Sequence, residues 1–376
     1  MRFLKIPAGL PISANIINRE LVRRQRGFGS GPRMKIEQDS VQIVSGWMSG
    51  MTTGAPIAMI INNRDHKKWI DAAIDSFTIP RPGHADLTGA IKYGYRDLRL
   101  SLERASARET AARVAIGAIC KQFLAQFGIK VEGYVRSIDN VVADIEGIPI
   151  QKRGSNAETN EVRCPDLKVA DQMRDRISQI MQARDTLGGV IEVVVLGVPV
   201  GLGSHVHYDR KLDAKLGAAM LSVQSIKGVE IGPAFENTRL QGTQVHDSIL
   251  LDGEKLYRPT NRAGGIEGGI SNGQPIVIRS AMKPIATTLT PQQSIDLASG
   301  EEVSTNYERS DFCPVPRAVP ILEAMAAFVI ADELVMKLGG DSLQEMKPRY
   351  DTLADTSLTD LSMVGSEHIF WPANDD

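Results

Sequence analysis

The chain has 376 residues, 42% apolar and 23% charged, enough to bury a sizeable core in one large domain or a few ordinary ones. Lys+Arg 43 against Asp+Glu 45 leaves a net charge of −2, so no global field draws it to nucleic acid or a membrane surface, and any anion site must be local. Cys120, Cys164 and Cys313 are far apart and offer no zinc-ligand spacing. With no signal-peptide layout in MRFLKIPAGLP and no stretch near the roughly 20 apolar residues of a membrane span, the expected setting is cytoplasmic.

In chain order, RRQRGFGSGPRMK from Arg23 to Lys35 mixes arginines with glycines and reads as a phosphate-gripping loop or merely a flexible exposed one. VQIVSG at 41–46 and PIAMIIN at 56–62 are predicted strands around the turn-rich GMTTGA, making the opening third sheet with long loops. After Glu103, Ile116, Ile119, Cys120, Phe123, Leu124 and Phe127 recur at helical spacing, with Gly128 as the stop. Residues 151–185, rich in both charge signs, predict an exposed loop and then a surface helix, followed by the apolar strand VIEVVVLGVPV at 190–200. Leu212, Leu216, Ala219, Val223 and Ile226 predict a second helix, VEIG a strand, and Pro320 the first turn of a third helix reaching Gly339. The glycines of 264–273 (GGIEGGISNG) predict a loop shaped for close backbone approach. The whole, 1–376, reads as a single α+β domain whose residues 351–376 form a loosely ordered tail or a partner-facing segment.

The densest polar cluster runs from RPGHAD at Arg81 to Asp86 through Thr110. Arg81, Arg96, Arg99, Arg104, Arg108 and Arg113 form either a face paired with Asp97, Glu103 and Glu109 or an anion site. The small residues Ala105, Ser106, Ala107 and Ala111 leave room for a ligand, and forked guanidiniums suit phosphate oxygens. His84, between Gly83 and Asp86, is a structural histidine or a proton donor near neutral pH. His205 and His207 lack a third metal ligand and read as polar surface, so no metal site is expected. In ERSDFC at 308–313, Arg309 and Asp311 make a simple ion pair or a charge anchor beside a proton acceptor. GxxxxGK[ST] is absent and no GxGxxG follows a strand, which argues against nucleoside triphosphate chemistry.

These segments, with GGVIEVVVLGVPVGLGS, QSIKGVEIG, NRAGGIEGGISNGQPI, MKPIATTLTPQQSIDL and ERSDFCPVPRAVPILEAM, closely resemble the chorismate synthase family, in order from about residue 6 to 350. The resemblance implies a β-α-β sandwich, with central helices near 103–127 and 209–226 between antiparallel sheets, and a homotetramer. It also implies conversion of 5-enolpyruvylshikimate 3-phosphate into chorismate and phosphate by a 1,4-anti elimination in the shikimate pathway. The reaction requires reduced FMN without net redox change, and NADPH enters only as a source of flavin reduction.

Residue by residue, the resemblance assigns flavin contacts to Arg104, Ala105, Ser106, Gln224, Ser225, Gly268, Lys283, Pro284, Ile285, Ala286, Thr287 and Arg309. His84 matches the histidine that protonates the reduced flavin, and Asp311 the aspartate that assists proton removal. Arg24, Arg33 and Arg81 match substrate-binding arginines, Arg24 matching also one assigned to a nicotinamide nucleotide, and Arg108 of the same cluster is grouped with them.

The chain also departs from the family. No counterpart of the family's GESHG segment, which carries a second histidine, stands before IPAGLP. Ser30 replaces a usual arginine, Trp47, Met48 and Met51 stand where cations are expected, and Phe312 is unusual beside Asp311. Weakened phosphate affinity is the expectation, and a non-catalytic FMN-binding scaffold of the same fold is the alternative. A nucleic-acid-binding role is disfavoured by the negative net charge and 5% aromatic content.

Overall fold

The computed structural model describes residues 5–30, 39–63, 70–306, 310–353, 355–361, 363 and 365–367. Its organising element is the helix Val315–Leu338, in which apolar side chains occur all round. Such a helix has no face to give to water and must be buried on every side. One side takes a five-stranded antiparallel sheet in the order Val141–Val142, Lys130–Ile138, Gly189–Leu196, Ile276–Met282, Ile226–Ile231. Ile191, Val193, Val195, Ile276 and Ile278 are fully buried and share one sheet face through the period-2 alternation of strands. Gly133, paired with Val193, lies under Val319 and Glu323, which places this face against the helix.

The opposite face carries a cross-strand row of polar groups, Tyr134, Glu192, Arg279 and Glu230. Tyr134 donates to Glu192, and Arg279 bridges Glu192 at 2.6 Å and Glu230 at 3.2 Å, so the buried Glu192 carboxylate is satisfied on both sides. Buried charge is tolerable only with such pairing.

Helices Thr110–Ala125 and Ala14–Gln25 complete the packing around the central helix, together with Leu212–Leu221. Beyond Ala14–Gln25 lies the antiparallel pair Val41–Ser45 and Ala58–Ile61, aligned Val41 to Ile61 with a bulge after Ile43. Sheet, helical layer and second antiparallel pair give the α+β sandwich expected from the sequence, with Thr110–Ala125 and Leu212–Leu221 as the two helices foreseen within it.

Five local expectations change. The second helix, expected to include Val223 and Ile226, ends at Leu221, and Ile226 opens the edge strand Ile226–Ile231. Residues 14–25 are helical, because Ile17, Leu21 and Arg24 at spacings of four and three bury one stripe against the core. Arg23 and Arg24 therefore occupy a last helical turn, not a loop, and Arg33 lies outside the described residues. The stretch 151–185 holds two helices, Ile150–Ala157 and Leu167–Gln182, joined through buried Val162, Arg163 and Cys164 where an exposed loop was expected. Its charges mislead because Arg163 spends its guanidinium on the carbonyls of Arg23, Arg26 and Pro316. The third helix opens at Val315, with Pro320 inside it, since Pro316 already occupies the first turn, where a missing N–H costs nothing. Finally, 264–273 is not a plain loop: Ile266–Glu267 and Ile270–Ser271 pair across Gly268 and Gly269, both at positive φ.

The tightest contact in the helical layer is Gly117 against Ala324, where an added Cβ would lie 2.5 Å from Ala324 Cα. Helix propensity alone makes Gly117→Ala stabilising by about 1 kcal/mol. Overpacking against backbone opposes this, and a net destabilisation of about 1–3 kcal/mol is expected in urea unfolding. An unchanged or raised midpoint would show that the two helices separate freely.

Candidate active site

A cavity of about 660 Å³ opens at the ends of these elements. Its walls come from the last turn of Ala14–Gln25, the RPGHAD turn, the loop between helices Arg99–Ala105 and Thr110–Ala125, the turn after Leu212–Leu221, residues 283–287 following a central strand, and the start of Val315–Leu338. Among the described residues, six cations line it, Arg24, Arg81, Arg108, Lys227, Lys283 and Arg317, with His84 and a single carboxylate, Asp311. The positive field that the near-neutral composition withheld is thus concentrated in one place.

On one wall, Asp86 is fully buried and Arg81 is 8% exposed. Arg81 grips Asp86 with Nε to Oδ2 at 2.8 Å and Nη2 to Oδ1 at 3.0 Å, and donates Nη1 to Thr287 Oγ1 at 3.1 Å. His84 Nδ1 lies 2.6 Å from Asp86 Oδ1, so the carboxylate selects the tautomer with a proton on Nδ1 and leaves Nε2 as the second functional nitrogen. Gly83 turns the chain at φ 73° so that His84 stands at the cavity edge, and Lys283 Nζ donates to the Gly83 carbonyl at 3.2 Å. Burial works to raise the Asp86 pKa, but hydrogen bonds from His84 and Arg81 outweigh it and hold the carboxyl well below the usual carboxylate range.

On the other wall, Arg24 Nη2 and Arg108 Nη1 each donate to a different oxygen of Asp39, both at 2.6 Å. Arg24 also reaches Thr110 Oγ1 at 3.4 Å, while its buried Nε has no partner among the described residues. Burial pushes the Arg24 pKa down, the Asp39 hydrogen bond pulls it back, and Arg317 and Arg108 push it down again. Arg317 donates to Asp311 and, through Nε, to the Arg24 carbonyl at 3.2 Å, tying the start of one helix to the end of another. Gly27 makes room for this, since a Cβ there would lie 2.8 Å from Arg317 Cγ.

Between the walls, Ala105, Ser106 and Ala107 form a floor of small side chains. Ser225 adopts a left-handed φ of 66° and accepts from the Lys283 backbone N–H at 2.9 Å, which brings Gln224, Ser225 and the 283–287 segment to one side. Gln224 donates to Glu109 at 2.7 Å, but its buried Oε1 has no partner among the described residues.

Of the residues expected at the site, the fold brings together Arg24, Arg81, His84, Ala105, Ser106, Arg108, Gln224, Ser225, Lys283, Ile285, Ala286, Thr287 and Asp311. Arg104 is exposed outside the lining, Pro284 packs against Gly188, and Gly268 sits in its own turn away from the cavity. Arg33 and Arg309 lie outside the described residues. Trp47, Met48 and Met51 build an exposed two-stranded hairpin, and neither they nor Ser30 line the cavity. Arg317 and Asp39 were not foreseen. Arg317 was legible as an arginine six residues past Asp311 at a helix start; Asp39 carried no local signal, because its partners are 15 and 69 residues away.

Asp86 generates a stability prediction. Asp86→Asn leaves buried Arg81 without its counter-ion and should cost about 3–5 kcal/mol at neutral pH in denaturant unfolding. Because the folded pKa is depressed, the stabilisation is complete above about pH 4 and is lost as pH falls toward the folded value. The gap between variant and unaltered chain should therefore narrow below pH 4; a gap constant down to pH 3 would mean the charge is not its source.

The chorismate synthase family profile matches residues 4–335. A chorismate synthase of Symbiobacterium thermophilum is 50% identical, over 90% of this chain and 91% of the relative. One of Caldanaerobacter subterraneus subsp. tengcongensis is 51% identical, over 92% of both. A crystal structure of chorismate synthase superimposes with a TM-score of 0.75 at 43% identity, covering 92% of this chain and 90% of that one. Nothing among these matches favours a non-catalytic scaffold. With the profile spanning most of the sequence and relatives near 50% identity across nine-tenths of it, the chain belongs to the chorismate synthase family.

Proposed function

We propose that this cavity binds 5-enolpyruvylshikimate 3-phosphate and eliminates its phosphate to give chorismate, with reduced FMN required, as a step of aromatic amino acid biosynthesis. The observation that carries the reading is the concentration, among the described residues, of six cations and one carboxylate in a single cavity of a protein whose net charge is −2. A substrate with one phosphate and two carboxylates needs that excess, and forked guanidiniums match oxyanion geometry.

The residues present fit a flavin mononucleotide. The volume lies within the roughly 300–1,000 Å³ of small-molecule sites. Ala105, Ser106 and Ala107 leave space for a planar ring, and the orphaned Gln224 Oε1 is an acceptor awaiting a ring N–H. Ser225, Lys283, Ile285, Ala286 and Thr287 complete that side. Reduced FMN held by Ser106, Gln224, Ser225 and the 283–287 segment would supply transient electron density for the elimination without net redox change. A nicotinamide nucleotide serves only to reduce the flavin.

The chain's own groups do the rest. Arg24 and Arg108 orient anionic groups of the substrate; Arg33, outside the described residues, is assigned to substrate only by the family resemblance. Arg81 has its donors engaged by Asp86 and Thr287, so it contributes positive charge more than a free fork. His84, its Nδ1–H held by Asp86, gives a proton from Nε2 when the ring carries protons on both nitrogens. Asp311, steadied by Arg317, receives the proton removed from the substrate.

We further propose a cytoplasmic homotetramer. Three buried free thiols support a reducing compartment. The hairpin Leu250–Asp252 and Lys255–Tyr257 supports assembly, because Leu250, Leu251 and Tyr257 are exposed and two strands with so little burial gain stability from a neighbouring surface.

The deciding experiment is anaerobic phosphate release from 5-enolpyruvylshikimate 3-phosphate with reduced FMN, beside an FMN binding titration of the same preparation. Steady turnover is expected, with His84→Ala and Asp311→Asn each lowering kcat by about 10²–10⁴ while flavin affinity holds within about threefold. Tight flavin binding without phosphate release would sink the assignment.

A further inference from the structure

We propose that Asp39 is a positioning residue that holds Arg24 and Arg108 together as an anion-binding fork on the cavity wall. Asp39 itself does not line the cavity, and its side chain is 2% exposed. Its two oxygens are divided, Oδ2 taking Arg24 Nη2 and Oδ1 taking Arg108 Nη1, each at 2.6 Å. The three groups together carry one net positive charge, directed by two arginines that do line the cavity.

Two observations separate this from an ordinary buried ion pair. First, Arg24 and Arg108 sit on the two oxygens of one carboxylate, and two like charges, which at a separation of about 4 Å would repel by about 4 kcal/mol at an effective dielectric constant of 20, are drawn together by the anion between them. Second, Arg24 is 3% exposed, yet its Nε has no acceptor among the described residues. A buried donor left unpaired costs about 1–3 kcal/mol, which a ligand oxygen at the cavity wall would recover. The backbone around Asp39 is itself anchored: its N–H donates to Gln25 Oε1 at 3.4 Å, and the Val41 N–H donates to Asn18 Oδ1 at 2.8 Å. Arg108 is further steadied by Nη2 donating to the Asn62 carbonyl at 3.0 Å. The fork is thus built from helix Ala14–Gln25, the 106–110 loop and the second antiparallel pair, with Asp39 at their junction.

The inference rests on the elimination reading only for the identity of the substrate. It is tested on the full chain with Asp39→Asn, which keeps the shape of the carboxylate and removes its charge. Thermal unfolding first establishes that the variant is folded at the assay temperature. Calorimetric titrations then use 5-enolpyruvylshikimate 3-phosphate and, in parallel, inorganic phosphate, while a fluorescence titration reads FMN affinity. Affinity for both anions is expected to fall by about 10–100-fold, with KM rising more than kcat falls and FMN affinity within about threefold. Unchanged anion affinity in the folded variant overturns the proposal. So does a parallel loss of anion and flavin affinity, which would mean general collapse of the cavity.

Should Asp39→Asn not fold, Asp39→Ala titrated with sodium formate, against sodium chloride at equal ionic strength, takes its place. Formate supplies the missing carboxylate and is expected to restore folding and anion binding together; recovery of folding without anion binding, or no recovery at all, refutes the role. If the unaltered chain binds the substrate but releases no phosphate, the elimination reading fails while the binding titrations still decide on Asp39.

Discussion

The site depends on a way of gathering like charges. Cations that would repel one another line a single cavity, and the protein neutralises them from behind with carboxylates taken out of water. Asp86 holds Arg81 and His84, and Asp39 spans Arg24 and Arg108. Asp311, paired with Arg317, is the carboxylate that reaches the lining. Each aspartate is satisfied by charge-assisted bonds, so its burial is tolerable, and each arginine is pinned in one rotamer. The result is positive potential facing the ligand at a cost borne in the wall, which is how preorganised electrostatics acts without reorganising during the reaction.

That wall is rigid because of where its elements begin and end. Val315–Leu338 is buried along its length, and its first turn is locked to the last turn of Ala14–Gln25 by Arg317 on the Arg24 carbonyl and by Arg163 on the carbonyls of Arg23 and Pro316. Deeper in the same interface, Glu323 is held ionised: burial would raise its pKa, but Arg23 and Lys121 bring it down to about 2. Helix termini normally leave carbonyls and N–H groups without partners, and here those carbonyls serve as fixing points for arginines. Packing and chemistry therefore share the same residues.

Three departures from the family's usual residues, Trp47, Met48 and Met51, lie outside the cavity lining, whereas Phe312 directly follows the lining residue Asp311. Trp47, Met48 and Met51 form a small exposed hairpin with Ser49 and Gly50 at its tip, both in left-handed backbone. Trp47, Met48 and Met51 do not line the cavity, so their loss of charge leaves its lining arginines in place. Trp47, Met48 and Met51 on this hairpin, like Leu250, Leu251 and Tyr257 on another, leave apolar surface exposed.

The sequence by itself determined the elements whose signals are local. Helical spacing from Ile116 to Phe127 marked the helix Thr110–Ala125, and the apolar run at 190–200 marked a central strand. Long motifs such as RPGHAD and ERSDFC identified the family and most cavity residues, since an enzyme's contacts cluster in short segments. It misplaced the helix holding Arg24, whose three-residue buried stripe is too thin to stand out among arginines, and it missed Asp39 and Arg317. Only the tertiary structure decided those, because a buried carboxylate acquires its role from partners distant in the chain, and sequence spacing carries no record of which charges burial will force together.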